Sequence, residues 1–206
     1  MNKILVFVLL FFLSGNSLIF AQEYNRTDEK GRRQGLWTDF YPNGQKRYEG
    51  QFKNDKCTGE FKYYDEQGRL KATNTFDKSG EKALNKTYSE NGTLIATGYY
   101  IHQKKEGEWR YFSKENGVLI LVEENMDGKA HGFSKVYYET GTLMMERQFV
   151  NGLLDGHAKI YYPSGALKEE GDYLKGEKVG IWTAYNEDGD EISRENFTAP
   201  SAADFN

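Results

Sequence analysis

After an unbroken apolar run from Ile4 to Leu13, the hydrophobic positions of this chain come in short clusters set on a fixed period. Glycine opens each cycle at Gly35, Gly59, Gly107, Gly132, Gly156 and Gly180, with Ala83 in that place in the third, at intervals of 24, 24, 24, 25, 24 and 24 residues. Five residues after each opening stands an aromatic: Phe40, Tyr64, Tyr88, Phe112, Tyr137, Tyr161 and Tyr185. A second glycine falls nine residues after the opening at Gly44, Gly68, Gly92, Gly141, Gly165 and Gly189. In the fourth unit it falls at ten, Gly117, and that one extra residue accounts for the 25-residue interval. Register this regular over seven units is the mark of a repeat architecture.

Each column has a physical reading. Aromatic residues favour a pleated, half-buried surface, so the segment ending on them is a strand. Pro42-Asn43-Gly44, Pro163-Ser164-Gly165 and Glu187-Asp188-Gly189 are turn chemistry, where Gly or Asn takes a positive φ. Leu70, Leu94, Leu119, Leu143 and Leu167 open a second strand that closes on Phe52, Phe76, Tyr100, Phe149, Tyr173 or Phe197, with Asn125 beside Met126 as the exception. A further turn, such as Asn151-Gly152 or Lys175-Gly176, leads to the next opening residue. The pattern predicts an all-β protein, an elongated single-sheet array of seven antiparallel β-hairpins. Fourteen strands at the usual spacing stack to roughly 65 Å. Windows between turns of no more than roughly ten residues leave no room for a helix. One hairpin cannot bury its face alone, so stability is a sum over neighbours and the two ends are the exposed places. Lys30, Arg32 and Arg33 before the array, and Pro200 after it, are placed to guard those edges.

Composition narrows this further. Hydrophobic residues are 38 % of the chain and aromatics 15 %, which suits a thin sheet carried by rings better than a thick aliphatic core. A net charge of −4, mixed in sign, speaks against a nucleic-acid ligand. Cys57 is the single cysteine, so no disulfide within the chain is expected. Lys3, the apolar run and the small-residue site Ile19-Phe20-Ala21 read together as an export signal cut near Ala21. The run is too short for a membrane span, and Ser14-Gly15-Asn16 interrupts it. The expected organisation is a signal at 1–21, a polar lead-in at 22–34, the repeats at 35–198 and a tail at 199–206. The expected location is the periplasm, the cell surface or the medium.

The motif Gly-x-Trp-x-x-Tyr, a turn glycine, then Leu-x-x-x-x-x-Tyr resembles the MORN repeat, in particular its bacterial variant. Gly107-Glu108-Trp109-Arg110-Tyr111-Phe112 and Gly180-Ile181-Trp182-Thr183-Ala184-Tyr185 carry the resemblance best, and it extends over about residues 35–197. The third unit departs most, with Ala83 and Asn85 in place of the glycine and the aromatic. Proteins of this look are often labelled YwqK-family antitoxins. The resemblance implies a protein- or lipid-binding scaffold rather than an enzyme.

Two columns are candidates for contact with a ligand. Two residues after the opening stand Trp37, Phe61, Trp109 and Trp182, with Asn85, Ser134 and Ala158 in the other units. These aromatics either cover the sheet or grip a partner, and the small residues at Ser134 and Ala158 are expected to leave a groove. Three residues after the opening stand Lys62, Lys86, Arg110, Lys135 and Lys159, facing a carboxylate column of Glu49, Glu123, Glu146 and Glu170. Cross-strand ion pairs account for that arrangement; a basic line for an anionic polymer or lipid headgroups is the other reading. His102, His131 and His157 share no column, although His131 and His157 lie in adjacent units. No metal, cofactor or catalytic constellation is assigned, since metal sites need converging ligands and no nucleophile motif occurs. The expected function is a non-catalytic exported scaffold for a protein partner, with an antitoxin- or immunity-like role implied by the resemblance. The alternatives are an envelope glycan bound through the repeat aromatics and an anionic membrane surface bound through the Lys/Arg column.

Overall fold

A computed structural model describes residues 24–198, and the expected signal at 1–21, Pro200 and the 199–206 tail lie outside the described residues. Every regular element among the described residues is a strand. The chain runs β1 (Arg26–Thr27), β2 (Arg33–Phe40), β3 (Lys46–Lys53), β4 (Lys56–Tyr64), β5 (Leu70–Phe76), β6 (Lys82–Tyr88), β7 (Leu94–Ile101) and β8 (Lys104–Phe112). It continues through β9 (Leu119–Met126), β10 (Lys129–Tyr137), β11 (Leu143–Val150), β12 (Leu153–Leu154), β13 (Gly156–Tyr161), β14 (Leu167–Leu174), β15 (Glu177–Tyr185) and β16 (Glu191–Phe197). All sixteen lie in one antiparallel sheet in chain order, with β12 paired to β11 beside β13. Fourteen of them are the expected hairpin strands. The other two are the short β1 and the fragment β12, which Asp155 separates from β13.

Two turn types alternate. At one edge, turns such as Tyr41–Gln45 close over a glycine with positive φ. Next to them the column-five aromatic pairs with the leucine across the hairpin: Tyr64↔Leu70, Tyr88↔Leu94, Phe112↔Leu119, Tyr137↔Leu143 and Tyr161↔Leu167. At the other edge the turns have two residues, both with positive φ: Asn54-Asp55, His102-Gln103, Asp127-Gly128, Asn151-Gly152 and Lys175-Gly176. That is the type I′ geometry whose twist matches a hairpin.

The opening glycine is a bulge. Gly59-Glu60-Phe61 faces Gly50 alone, Gly107-Glu108-Trp109 faces Gly98, and Gly180-Ile181-Trp182 faces Gly171. Each opening glycine has φ between +64° and +112°, which L side chains rarely adopt. The third unit does without the bulge. Ala83 is not among the positive-φ residues, and β5 and β6 pair without a register shift from Phe76↔Ala83 to Ala72↔Thr87. The turn before it is longer by the same two residues, closing with Asp77 N–H to Lys82 C=O around four residues. Length removed from the bulge reappears in the turn, so the 24-residue period survives.

Successive units are stapled by tyrosine. The Tyr41 hydroxyl donates to Tyr64 C=O at 2.9 Å, Tyr138 to Tyr161 C=O at 2.8 Å and Tyr162 to Tyr185 C=O at 2.9 Å. The N-terminal edge is closed by β1 and by Asn25, whose amide donates to Thr38 C=O and accepts from Thr38 N–H as a paired strand would. Arg32 and Arg33, expected as edge guards, are tied into that end through Asp28 and Asp55.

Candidate functional site

The core is a single layer on one face of the sheet, made by columns two and seventeen after each opening. Trp37, Phe52, Phe61 and Phe76 stand edge to face in sequence, with ring centroids 5.9, 5.1 and 5.3 Å apart. Tyr100–Trp109 at 4.9 Å and Tyr173–Trp182 at 5.0 Å repeat the contact. Each buried ring of column two lies on a glycine of the preceding strand. A Cβ on Gly50, Gly98 or Gly171 would stand 2.2–2.5 Å from ring atoms of Phe61, Trp109 or Trp182, so only glycine fits beneath them. The indole N–H groups of Trp109 and Trp182 donate to Tyr99 C=O and Asp172 C=O. A cation four residues earlier covers each indole: Arg33 at Trp37, Lys105 at 4.7 Å from Trp109 and Lys178 at 3.7 Å from Trp182.

The candidate contact column is therefore mostly interior. Phe61, Trp109, Trp182, Ser134 and Ala158 are all at most 3 % exposed, and Trp37, at the end of the array, is half-buried. Stacking of a sugar directly on Trp109 or Trp182 is precluded by that burial. The groove expected beside Ser134 and Ala158 is filled. Ser134 sits between Glu123 and Arg147 on the flanking strands, and Ala158 pairs with Gly171, over which Trp182 lies. Where a unit has a small residue in column two, bulk comes from a neighbouring strand.

The open groove is instead at the third unit. It measures about 850 Å³ and runs across the aromatic face, past Tyr63, Asn74, Phe76, Asn85, Thr87 and Tyr100. Two substitutions of the repeat pattern make it. With the bulge gone, Ala83 pairs with Phe76 at the place where Cys57, Lys105 and Lys178 pair with the rings of other units. Asn85 occupies the place of the indole, facing Asn74 where three other units have glycine, Gly50, Gly98 and Gly171. Polar groups line the floor in series: Thr87 Oγ1–H donates to Asn85 Oδ1 at 2.9 Å, and Asn85 Nδ2–H donates to Asn74 Oδ1 at 2.8 Å. Asn74 in turn hydrogen-bonds the Tyr63 phenol, whose pKa burial pushes up. Cys57 lies at one end of this groove, its thiol pKa raised by burial and held back by nearby Arg33.

The opposite face bears the charged column. Register places one continuous row across the sheet: Thr38, Glu49, Lys62, Thr73, Lys86, Thr97, Arg110, Val122, Lys135, Glu146, Lys159, Glu170, Thr183, Arg194. Glu49, Glu146 and Glu170 face the basic column as expected. Glu123 does not. The extra residue in the fourth unit moves the second strand on by one, so Val122 takes the row position and Glu123 turns to the aromatic face. From Lys62 to Lys135 the row therefore holds four cations and no carboxylate. Neighbours in the same strand supply part of the balance, with Glu60 3.6 Å from Lys62 and Glu108 2.7 Å from Arg110. Lys135 approaches Glu146 at 3.9 Å, and Lys86 is exposed.

Each row carboxylate also accepts from the column-five tyrosine of the next unit: Tyr64 to Glu49 at 2.8 Å, Tyr161 to Glu146 at 3.4 Å and Tyr185 to Glu170 at 3.2 Å. The Lys46 ammonium, with help from the Tyr64 hydroxyl, holds the Glu49 carboxyl below its ordinary range. Burial, and then the hydrogen bond to Glu49, pushes the Tyr64 phenol up to about 12. His131 and His157 do not come together: Nδ1 of His131 accepts from Asn151 N–H, and the His157 ring is bracketed by Asp172 at 2.9 Å and Glu170 at 3.3 Å.

A feature that column reading missed lies at the two-residue turns of units four to six. Met126, Val150, Leu153 and Leu174 there are 36–52 % exposed, and Phe133 is 51 % exposed beside them. Its sequence signal is an apolar residue directly after the column-seventeen position in four consecutive units, Ile101, Met126, Val150 and Leu174. A shallow hollow of about 520 Å³ adjoins it on the same face, between Arg110, Val122, Phe133 and Lys135.

The family model of the MORN repeat variant matches residues 33–54, 130–151 and 154–175, each one hairpin, and that of the MORN repeat matches residues 48–64. The chain thus carries repeats similar to MORN repeats, which are generally protein- or membrane-interaction repeats. No curated protein matches the chain. A solved structure titled "Crystal Structure of TarM" aligns with a TM-score of 0.23 and 16 % identity, over 59 % of this chain and 19 % of that one. A likeness of that size carries nothing further.

Proposed function

We propose that the protein is a non-catalytic exported scaffold that holds another protein on the charged face of its sheet. The observation that carries this reading is the run of exposed apolar side chains at Met126, Phe133, Val150, Leu153 and Leu174. Isolated exposed apolar residues are ordinary, but a cluster rimmed by charge is how partner sites present themselves. Here the rim is the adjoining stretch of the charged row, from Arg110 and Lys135 to Glu146, Lys159 and Glu170. A rigid single sheet offers that patch at little ordering cost, and phenylalanine and methionine are enriched in interface cores. An immunity- or antitoxin-like role, in which the bound protein is a toxin, is one version of this reading. Export rests on the leader pattern of residues 1–21.

The test is affinity capture with residues 22–206 as bait, against the variant Met126→Ser/Val150→Ser/Leu174→Ser. One defined protein held by the wild type and lost by the variant is expected. Equal capture by both, or none by either, overturns the reading. N-terminal sequencing of the protein from the envelope fraction should begin at Gln22.

A second reading is favoured by one observation, the stretch of the row from Lys62 to Lys135 that holds no carboxylate. Cations repeating every second strand, roughly 10 Å apart, suit an anionic surface. Sedimentation with acidic vesicles that fades as salt rises supports it; no binding, or salt-independent binding, rejects it.

A further inference from the structure

The third unit breaks the repeat pattern in a coordinated way, and the break makes a site. In units one, two, four and seven a ring fills column two, and Cys57, Lys105 and Lys178 stand beside the column-seventeen rings Phe52, Tyr100 and Tyr173. In the third unit both are replaced, by Asn85 and Ala83, while the rings on either side are kept. Phe76 and Tyr100 face each other across Ala83, two strand spacings or roughly 10 Å apart. Both are half-buried, and neighbouring rings hold them at steep angles: Phe61 at 76° to Phe76 and Trp109 at 69° to Tyr100. The groove between them is about 850 Å³, within the range of ligand pockets.

Its chemistry excludes most ligand classes. The floor of Asn74, Asn85 and Thr87 is neutral and joined by hydrogen bonds, so an ion of either sign finds no counter-charge in the middle. Charged groups stand only towards the ends, Arg47 and Lys71 at one and Glu81 at the other. A purely apolar ligand would leave the half-buried Asn74 carboxamide and Thr87 hydroxyl without exchange for water. An extended peptide cannot add as a strand, because the groove is on the face of the sheet, where every backbone group of β6 is already engaged with β5 or β7.

What remains is a ligand with flat apolar faces and a rim of neutral hydrogen-bonding groups. We infer that the groove at the third unit is a binding site for a neutral oligosaccharide, with Phe76 and Tyr100 as stacking walls and the half-buried Asn74 and Thr87 as the hydroxyl-reading groups, held in place by Asn85, which is itself buried and bonded to both. A pyranose presents C–H faces to the rings and equatorial hydroxyls to a carboxamide and a hydroxyl that each donate and accept. The site is on the face opposite the proposed protein-binding patch, so the two readings stand or fall separately.

The protein's own repeats supply the decisive variant. Asn74→Gly/Asn85→Trp places in the third unit the glycine and indole seen at Gly98 and Trp109, filling the groove with a ring although the bulge is absent there. Calorimetric titration of residues 22–206 with soluble oligomers of β-1,4-linked N-acetylglucosamine and of α-1,4-linked glucose is expected to show one saturable site for at least one of them. The double variant should weaken that binding at least about tenfold, a loss of roughly 1.4 kcal/mol, with its circular dichroism unchanged. Should it fail to fold, Tyr100→Leu removes one wall and should weaken binding several-fold. The variant Met126→Ser/Val150→Ser/Leu174→Ser should bind the sugar as the wild type does. No saturable binding of either oligomer overturns the inference, as does binding that survives both groove variants.

Discussion

Gly98→Ala isolates the contact on which the aromatic layer depends. The new methyl would stand 2.3–2.5 Å from three atoms of the Trp109 indole, which is 2 % exposed and donates to Tyr99 C=O at 3.0 Å. Backbone geometry does not oppose the change, since Gly98 has no positive φ. Overpacking of this kind costs about 1–3 kcal/mol. Displacing the indole from Tyr99 forfeits a hydrogen bond worth about 1 kcal/mol. Replacing glycine in a strand returns about 0.5–1 kcal/mol of backbone entropy. The net expectation is a loss of about 2 kcal/mol, read as a lower urea midpoint at unchanged slope. In a Trp109→Ser background the clash is gone, and the same change should be neutral or stabilising by about 0.5 kcal/mol. A thermodynamic cycle of the two should give a coupling of about 2–3 kcal/mol, since the sites touch. Gly50→Ala against Phe61 and Gly171→Ala against Trp182 should behave alike. If Gly98→Ala costs the same with and without the indole, the ring-on-glycine account is wrong.

Other expectations follow from single groups. Ser134 Oγ is fully buried with no hydrogen-bond partner among the described residues, so Ser134→Ala should stabilise the array by about 1 kcal/mol in urea unfolding. Tyr162→Phe removes the staple to Tyr185 C=O and should cost about 1 kcal/mol, seen as faster amide exchange in the last hairpin. Because the Glu49 carboxyl is held below its ordinary 4.5, its contribution is present above that pH and is lost as acid carries the pH down through the depressed value. Tyr64 is raised, so its contribution is complete below its ordinary 10.0 and fades as pH rises towards about 12. Thermal midpoints should fall in both windows, and Tyr64→Phe should flatten the alkaline one.

Periodicity made the sheet legible. A column that is aromatic in all seven units, a glycine nine residues after the opening, and turn pairs such as Asn151-Gly152 are local signals, and local geometry satisfies them: strand alternation and positive φ. The basic column was legible for the same reason, since side chains at equal repeat positions share a face. Counting failed at Glu123, where the extra residue in the fourth unit moves the second strand on and puts Val122 in the row.

The repeat pattern by itself determined the hairpins, their order and the row of cations, because a strand's own residues decide its faces and turns. What fills the space above each column depends on the neighbouring strand, some eleven to thirteen residues away in sequence: Gly98 beneath Trp109, Glu123 and Arg147 beside Ser134. Packing across strands therefore closed the groove expected at Ser134 and Ala158. It opened another at Asn85, where the missing bulge sets Ala83 between the Phe76 and Tyr100 positions and leaves the aromatic layer incomplete.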